Sequence, residues 1–126
     1  MPLQLLIATE NRAFFEPILE SLVKDGRAQV DWAQDSTTVL ARVKAARPDL
    51  LVVDERIDGR EGFDLCRKVL QMDAFANMAA VSDLDDHEFH EASEGLGLVG
   101  RLPSRPTAKD FESLLDLLAG IVPPPA

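Results

Sequence analysis

Five short apolar runs punctuate the chain, at Leu3–Ala8, Gln29–Ala33, Leu50–Val53, Met78–Val81 and Val99–Leu102. Runs this short read as strands, and one without polar alternation, such as Leu50–Val53, reads as a strand buried on both faces. Between them the apolar positions take helical spacing: Phe14, Ile18 and Leu22; Val39, Leu40 and Val43; Phe63, Cys66 and Leu70; Phe111, Leu114, Leu115 and Leu118. Alternating strands and helices predict a three-layer α/β sandwich, a parallel sheet with right-handed crossovers and helices on both faces. Capping residues fall where the periodicity wants them: Asp35 or Ser36 before the second helix, Asp83 to Asp86 before the fourth, Thr107 before the fifth, with Gly26 and Gly97 near helix ends.

Prolines modify this pattern at three places. Pro17 falls inside the first helical stretch, which predicts a late helix start or a kink. Pro103 closes the fifth apolar run and has no N–H for a ladder, which predicts an edge strand. After Ile121 the sequence Val122-Pro123-Pro124-Pro125-Ala126 cannot continue a helix and reads as a tail or the start of a linker. Residues 1–121 are thus expected to form one domain and 122–126 to lie outside it.

Composition narrows the function classes. A chain of 126 residues holds one core without staples, and the single Cys66 cannot make an internal disulfide. With 22 acidic and 13 basic residues the formal net charge is -9, which repels phosphate backbones and anionic lipid, and no basic patch offsets it. No stretch is apolar and long enough to cross a bilayer and no leader pattern opens the chain, so a cytoplasmic protein is expected, with no direct nucleic-acid or membrane binding.

The candidate chemistry concentrates in Arg47-Pro48-Asp49, the run Leu50–Val53, Asp54 at its end and Gly62 eight residues on. A carboxylate at the tip of a buried parallel strand stands where ligands of such sheets bind. Turn, apolar strand, terminal Asp and a loop of fixed length closing on Gly resemble the receiver domain of bacterial two-component response regulators. The resemblance covers roughly residues 3 to 119. It implies a five-stranded parallel sheet in the flavodoxin-like order 2-1-3-4-5, an order for which a receiver protein is a standard example. It further implies that Asp54 accepts a phosphoryl group from a sensor histidine kinase or a phosphotransfer protein. Mg²⁺ would be held by Glu10, Asp54 and the backbone carbonyl of Arg56, with Thr9 in the outer shell. Ser82 stands at the switch hydroxyl and Arg105, before Pro106, at the phosphoryl-pairing cation. Output is expected through the helix 4/strand 5/helix 5 face to a downstream protein target or fused effector domain, so this is a signalling domain and not an enzyme beyond its own phosphorylation and dephosphorylation.

Four positions depart from the family pattern. Thr9-Glu10 replaces a pair of acids, Asp58 stands where Pro is usual, and Arg101 or Leu102 replaces an aromatic residue on the fifth strand. The stretch from Gly100 to Arg105 is one residue longer than usual, which leaves open whether Arg105 or Ser104 takes the cation position. Exchange of Lys for Arg there would already swap a flexible point charge for a planar fork. These departures motivate an alternative, a pseudo-receiver acting as a phosphorylation-independent interaction module. A flavodoxin-like cofactor binder fits poorly, since Thr9-Glu10-Asn11-Arg12 is no phosphate cradle, and no P-loop sequence occurs.

Simpler roles compete for several residues. Asp54 alone is a strand-closing acid, Glu10 a first-turn acid favoured by the helix dipole, Ser82 an N-cap of the fourth helix and Arg105 a solvated surface cation. His87 and His90 among Asp83, Asp85, Asp86, Glu88, Glu91 and Glu94 read as a solvated helix face, Cys66 as a small core hydrophobe and Trp32 as a strand-two packing residue.

Overall fold

In a computed structural model that describes residues 2–121, the chain alternates strands and helices as the apolar pattern requires. The order is β1 (Leu3–Ala8), α1 (Arg12–Lys24), β2 (Ala28–Ala33), α2 (Ser36–Ala45), β3 (Leu50–Val53), a two-residue pair β4 (Arg56–Ile57) and β5 (Arg60–Glu61), α3 (Gly62–Met72), β6 (Met78–Val81), α4 (Asp86–Ala92), β7 (Gly100–Leu102) and α5 (Ala108–Ala119). Five strands form one parallel sheet in the order β2-β1-β3-β6-β7. That is the expected order 2-1-3-4-5 once the separate β4–β5 pair is set aside. β7 is an edge strand, as Pro103 predicted, and the proline-rich tail lies outside the described residues.

Strand pleating sorts the apolar side chains onto two faces. Leu5, Ile7, Leu50, Val52, Ala79 and Val81 pack with Phe15, Leu19, Phe111 and Leu115 of α1 and α5. Leu6, Ala8, Leu51, Val53, Met78 and Ala80 pack with Val39, Val43, Leu65, Cys66 and Val69 of α2 and α3. Because β3 and β6 are buried along their whole length, their sequences carry no polar alternation.

Helix ends follow local chemistry. Asp35 accepts from the Thr38 N–H at 2.7 Å and Asp85 from the Glu88 N–H at 2.8 Å. Thr107 and Asp110 form a reciprocal capping box. The helix does not start late at Pro17: α1 begins at Arg12 and continues through it. Pro17 and Ala13, whose carbonyl loses its partner, are both exposed, so water can satisfy the orphan and the helix persists.

Cys66 is fully buried, and burial pushes its thiol from 9.0 up to about 12. Its folded-state value lies above the unfolded one, so the stabilisation is whole below about pH 9 and is lost as pH rises toward about 12. Each pH unit inside that window costs about 1.4 kcal/mol. Two outcomes are expected: a thiol reagent leaves the native protein unlabelled at neutral pH but reacts in urea, and Cys66→Val flattens the alkaline fall in urea midpoint. Rapid labelling of the native protein would contradict this burial.

Candidate functional site

The carboxyl ends of β1 and β3 lie side by side, with Ala8 paired to Val53 and the Asp54 N–H donating to the Ala8 carbonyl at 3.0 Å. This register carries Thr9 against Asp54. The buried Thr9 hydroxyl donates to Asp54 Oδ2 at 2.6 Å and accepts from the Asn11 N–H at 2.9 Å. Asp54 Oδ1 accepts from the Glu55 N–H at 2.8 Å. Both oxygens are therefore oriented, while each keeps a lone pair for another partner.

Between Asp54 and Gly62, where the sequence spacing predicts a loop, the chain makes a hairpin. Ile57 and Arg60 flank Asp58 and Gly59, whose φ values are +56° and +73°. Two central residues with positive φ mark a type I′ turn, and the Asp-Gly dipeptide was its sequence signal. A proline cannot adopt that φ, so Asp58 is a structural replacement as well as a chemical one. The hairpin closes where the Gly62 N–H donates to the Glu55 carbonyl at 2.8 Å. Since paired residues alternate in hydrogen bonding, the Arg56–Glu61 pair is the non-bonded one, and the hairpin does not consume the Arg56 carbonyl.

Glu10 joins the same cluster through Asp58, whose N–H donates to Glu10 Oε2 at 2.8 Å. The Asp58 carboxylate in turn accepts from the Ser36 N–H, at the start of α2, at 2.9 Å. Hydrogen bonding from the Ser36 side chain, then from its backbone, holds the Asp58 carboxyl below the usual carboxylate range. Glu10, Asp54 and Glu55 form no ion pair among the described residues. Two carboxylates and a free carbonyl are hard oxygen donors that match Mg²⁺ in kind.

The other two sequence candidates sit differently. Ser82 is buried, and its hydroxyl accepts from the Leu84 N–H at 3.1 Å. It does not cap α4, because Asp85 does. Its hydroxyl makes no hydrogen bond to Asp54 among the described residues. Arg105 is exposed and has no hydrogen-bond or ion-pair partner among them. Ser104 is the residue of that loop that reaches the site: its hydroxyl bonds to the Glu55 carboxylate and its N–H donates to Asp83 Oδ1 at 2.9 Å. Those Ser104 bonds, backbone first, and the neighbouring Arg105 charge hold the Asp83 carboxyl below its usual range.

Arg101 was not singled out for a contact by the sequence. Its guanidinium donates to the Leu84 carbonyl at 2.9 Å, pairs with Asp86 and lies 4.7 Å over the Phe89 ring. It thereby ties β7 to the segment after Ser82 and to α4. His87 and His90 are exposed, and no group of three or more metal-ligating side chains occurs among the described residues. Within the same residues no helix is long and apolar enough to cross a membrane.

Comparison with known proteins supplies the family. The response regulator MprA of Mycolicibacterium vanbaalenii is 32% identical over 69 residues, covering 55% of this chain and 29% of that protein. This chain therefore corresponds to less than a third of that curated relative. The signal receiver domain of the response regulator NarL from Mycobacterium tuberculosis superposes with a TM-score of 0.78 at 21% identity, covering 94% of this chain and 98% of that one. A response regulator from Burkholderia pseudomallei superposes with a TM-score of 0.73 at 15% identity, covering 89% and 65%. At such identities these structures establish the fold. The family model described as the response regulator receiver domain matches residues 5–111, and the chain belongs to that family of signalling domains.

Proposed function

We propose that the domain accepts a phosphoryl group on Asp54 from the phosphohistidine of a sensor kinase or phosphotransfer partner. The observation that carries this reading is the side chain of Asp54 at the tip of β3, oriented by Thr9 and Glu55 and free of any ion pair among the described residues. In the step itself an Asp54 oxygen forms the new O–P bond as the P–N bond of the donor histidine breaks, its electron pair leaving with the imidazole nitrogen. Glu10, Asp54 and the Arg56 carbonyl would hold Mg²⁺. That ion, when bound, supplies positive charge against the phosphoryl oxygens. Thr9 keeps the carboxylate turned for attack, and it offers a hydroxyl where a second acid would add a ligand. The Burkholderia regulator, solved with a phosphorylated aspartic acid and a calcium ion, supports the same chemistry on this fold.

Output follows from the contacts of Ser82 and Arg101. A phosphoryl oxygen at Asp54 offers the Ser82 O–H an acceptor, and turning to donate to it moves the oxygen that the Leu84 N–H bonds. Leu84 holds Arg101 through its carbonyl and Arg101 pairs with Asp86, so β7 and α4 receive the change, and α5 packs against β7.

Intact-mass measurement after incubation with Mg²⁺ and acetyl phosphate tests this reading. Addition of one phosphoryl mass, reversed by hydroxylamine and absent when EDTA replaces Mg²⁺, is expected. An unchanged mass under the same conditions would leave the fold as a docking module.

A further inference from the structure

The candidate cation site is short of one acid, and Glu10 is tied through Asp58 to the first residue of α2. Glu10 is exposed and its neighbour at position 9 is a threonine, so nothing on β1 itself fixes the Glu10 carboxylate. The Asp58 N–H does so instead, through Glu10 Oε2, and Oε1 has no hydrogen-bond partner among the described residues. Two features make that donor available. Asp58 is not a proline and therefore has an N–H. Its positive φ, shared with Gly59 in the type I′ turn, belongs to the conformation that presents this N–H to Glu10. The turn is anchored by the Asp58 side chain on the Ser36 N–H, the first residue of α2.

Resting on the reading above, we propose that Asp58 is a positioning residue for Glu10. Its main chain presets the second carboxylate for the cation, and its side chain couples that carboxylate to the N-terminus of α2. Hydrogen-bonded partners of a ligating carboxylate restrict it to one rotamer, and their loss costs about 10- to 100-fold in metal affinity. Cation binding is then sensed on the α2 side of the sheet as well as beside β7.

Three substitutions separate this from a charge effect, because all remove the same carboxylate charge. Asp58→Asn keeps the N–H, tolerates positive φ and retains an acceptor for Ser36. Asp58→Gly keeps the N–H and the φ but has no side chain to anchor the turn. Asp58→Pro loses both N–H and φ. In calorimetric Mg²⁺ titrations the dissociation constant should rise about 10-fold from the Asn to the Gly variant, and further in the Pro variant where it folds. By NMR, the Ser36 amide of the wild-type protein should shift with the same Mg²⁺ midpoint as Glu10, and in Asp58→Gly it should stay still. A purely structural role would leave the Ser36 amide unmoved by Mg²⁺ in both proteins. Equal dissociation constants for the Asn and Gly variants, or a stationary Ser36 amide in wild type, overturn the proposal while the function stands. Absence of Mg²⁺ binding by the wild-type protein, or binding unchanged in Glu10→Gln, overturns the cation site itself and this proposal with it.

Discussion

Asp54→Asn takes up no phosphoryl group under conditions that fully modify the wild-type protein, and it remains folded. The amide lacks the negative charge that makes the carboxylate oxygen a nucleophile, so loss of uptake is complete rather than partial. Local cost is confined to hydrogen bonding. The Asn oxygen can serve either the Thr9 hydroxyl or the Glu55 N–H, while the amide nitrogen must face the other, and one lost charge-assisted bond is worth about 1.5 to 3 kcal/mol. The Thr9 hydroxyl, which already accepts from Asn11, can turn to accept again and reduce that loss. Intact mass reports the uptake, and circular dichroism with a urea titration reports the fold. Should the Asn variant still gain the phosphoryl mass, the acceptor is another carboxylate of the cluster, Glu10 or Glu55.

Gly62→Ala is the most disruptive single methyl that the site region can receive. A Cβ at this position would lie 2.1 Å from the Asp54 carbonyl oxygen, 3.0 Å from Val53 Cγ1 and 3.2 Å from the Asp54 carbonyl carbon. Two of these neighbours are backbone and cannot turn aside as a flexible side chain can. Retreat of α3 would break the bond from the Gly62 N–H to the Glu55 carbonyl, so strain falls on the strand tip itself. A destabilisation of about 3 kcal/mol, at the upper end for inserting a methyl into packed surroundings, is expected from urea midpoints. Because the displaced atoms belong to Asp54, the rate of phosphoryl uptake should fall as well, even at temperatures where the variant is folded. Loss of less than about 1 kcal/mol would mean that α3 backs away without cost, and that the glycine is not what seats the helix against Asp54.

Most of the secondary structure was legible because the signals are local. β1, β3 and β6 match their apolar runs residue for residue, while β2 begins one residue earlier than the run and β7 one later. Pro103 marked the sheet edge, and Asp35 and Thr107 marked helix starts. The order of the strands did not follow from periodicity, which says nothing about neighbours, and came with the resemblance carried by Asp54 and Gly62. At Pro17 the late start did not occur, and the Ala13 carbonyl that loses its partner is exposed, where water can satisfy it. The Asp58-Gly59 turn was readable in principle. Periodicity does not reveal it, because a two-residue strand on each side is too short to show alternation.

By itself, then, the sequence determined that helices and strands alternate, that the strand Leu50–Val53 is buried on both faces, and that a carboxylate follows it. Each of these depends on neighbours within a few residues. The tertiary structure decided which groups meet at the strand tips: a hydroxyl from Thr9 on Asp54, an N–H from Asp58 on Glu10, Ser104 rather than Arg105 toward Glu55. These pairs are 45, 48 and 49 residues apart in the chain. Their formation depends on sheet register and loop length, where a shift of one residue turns a different side chain to the site.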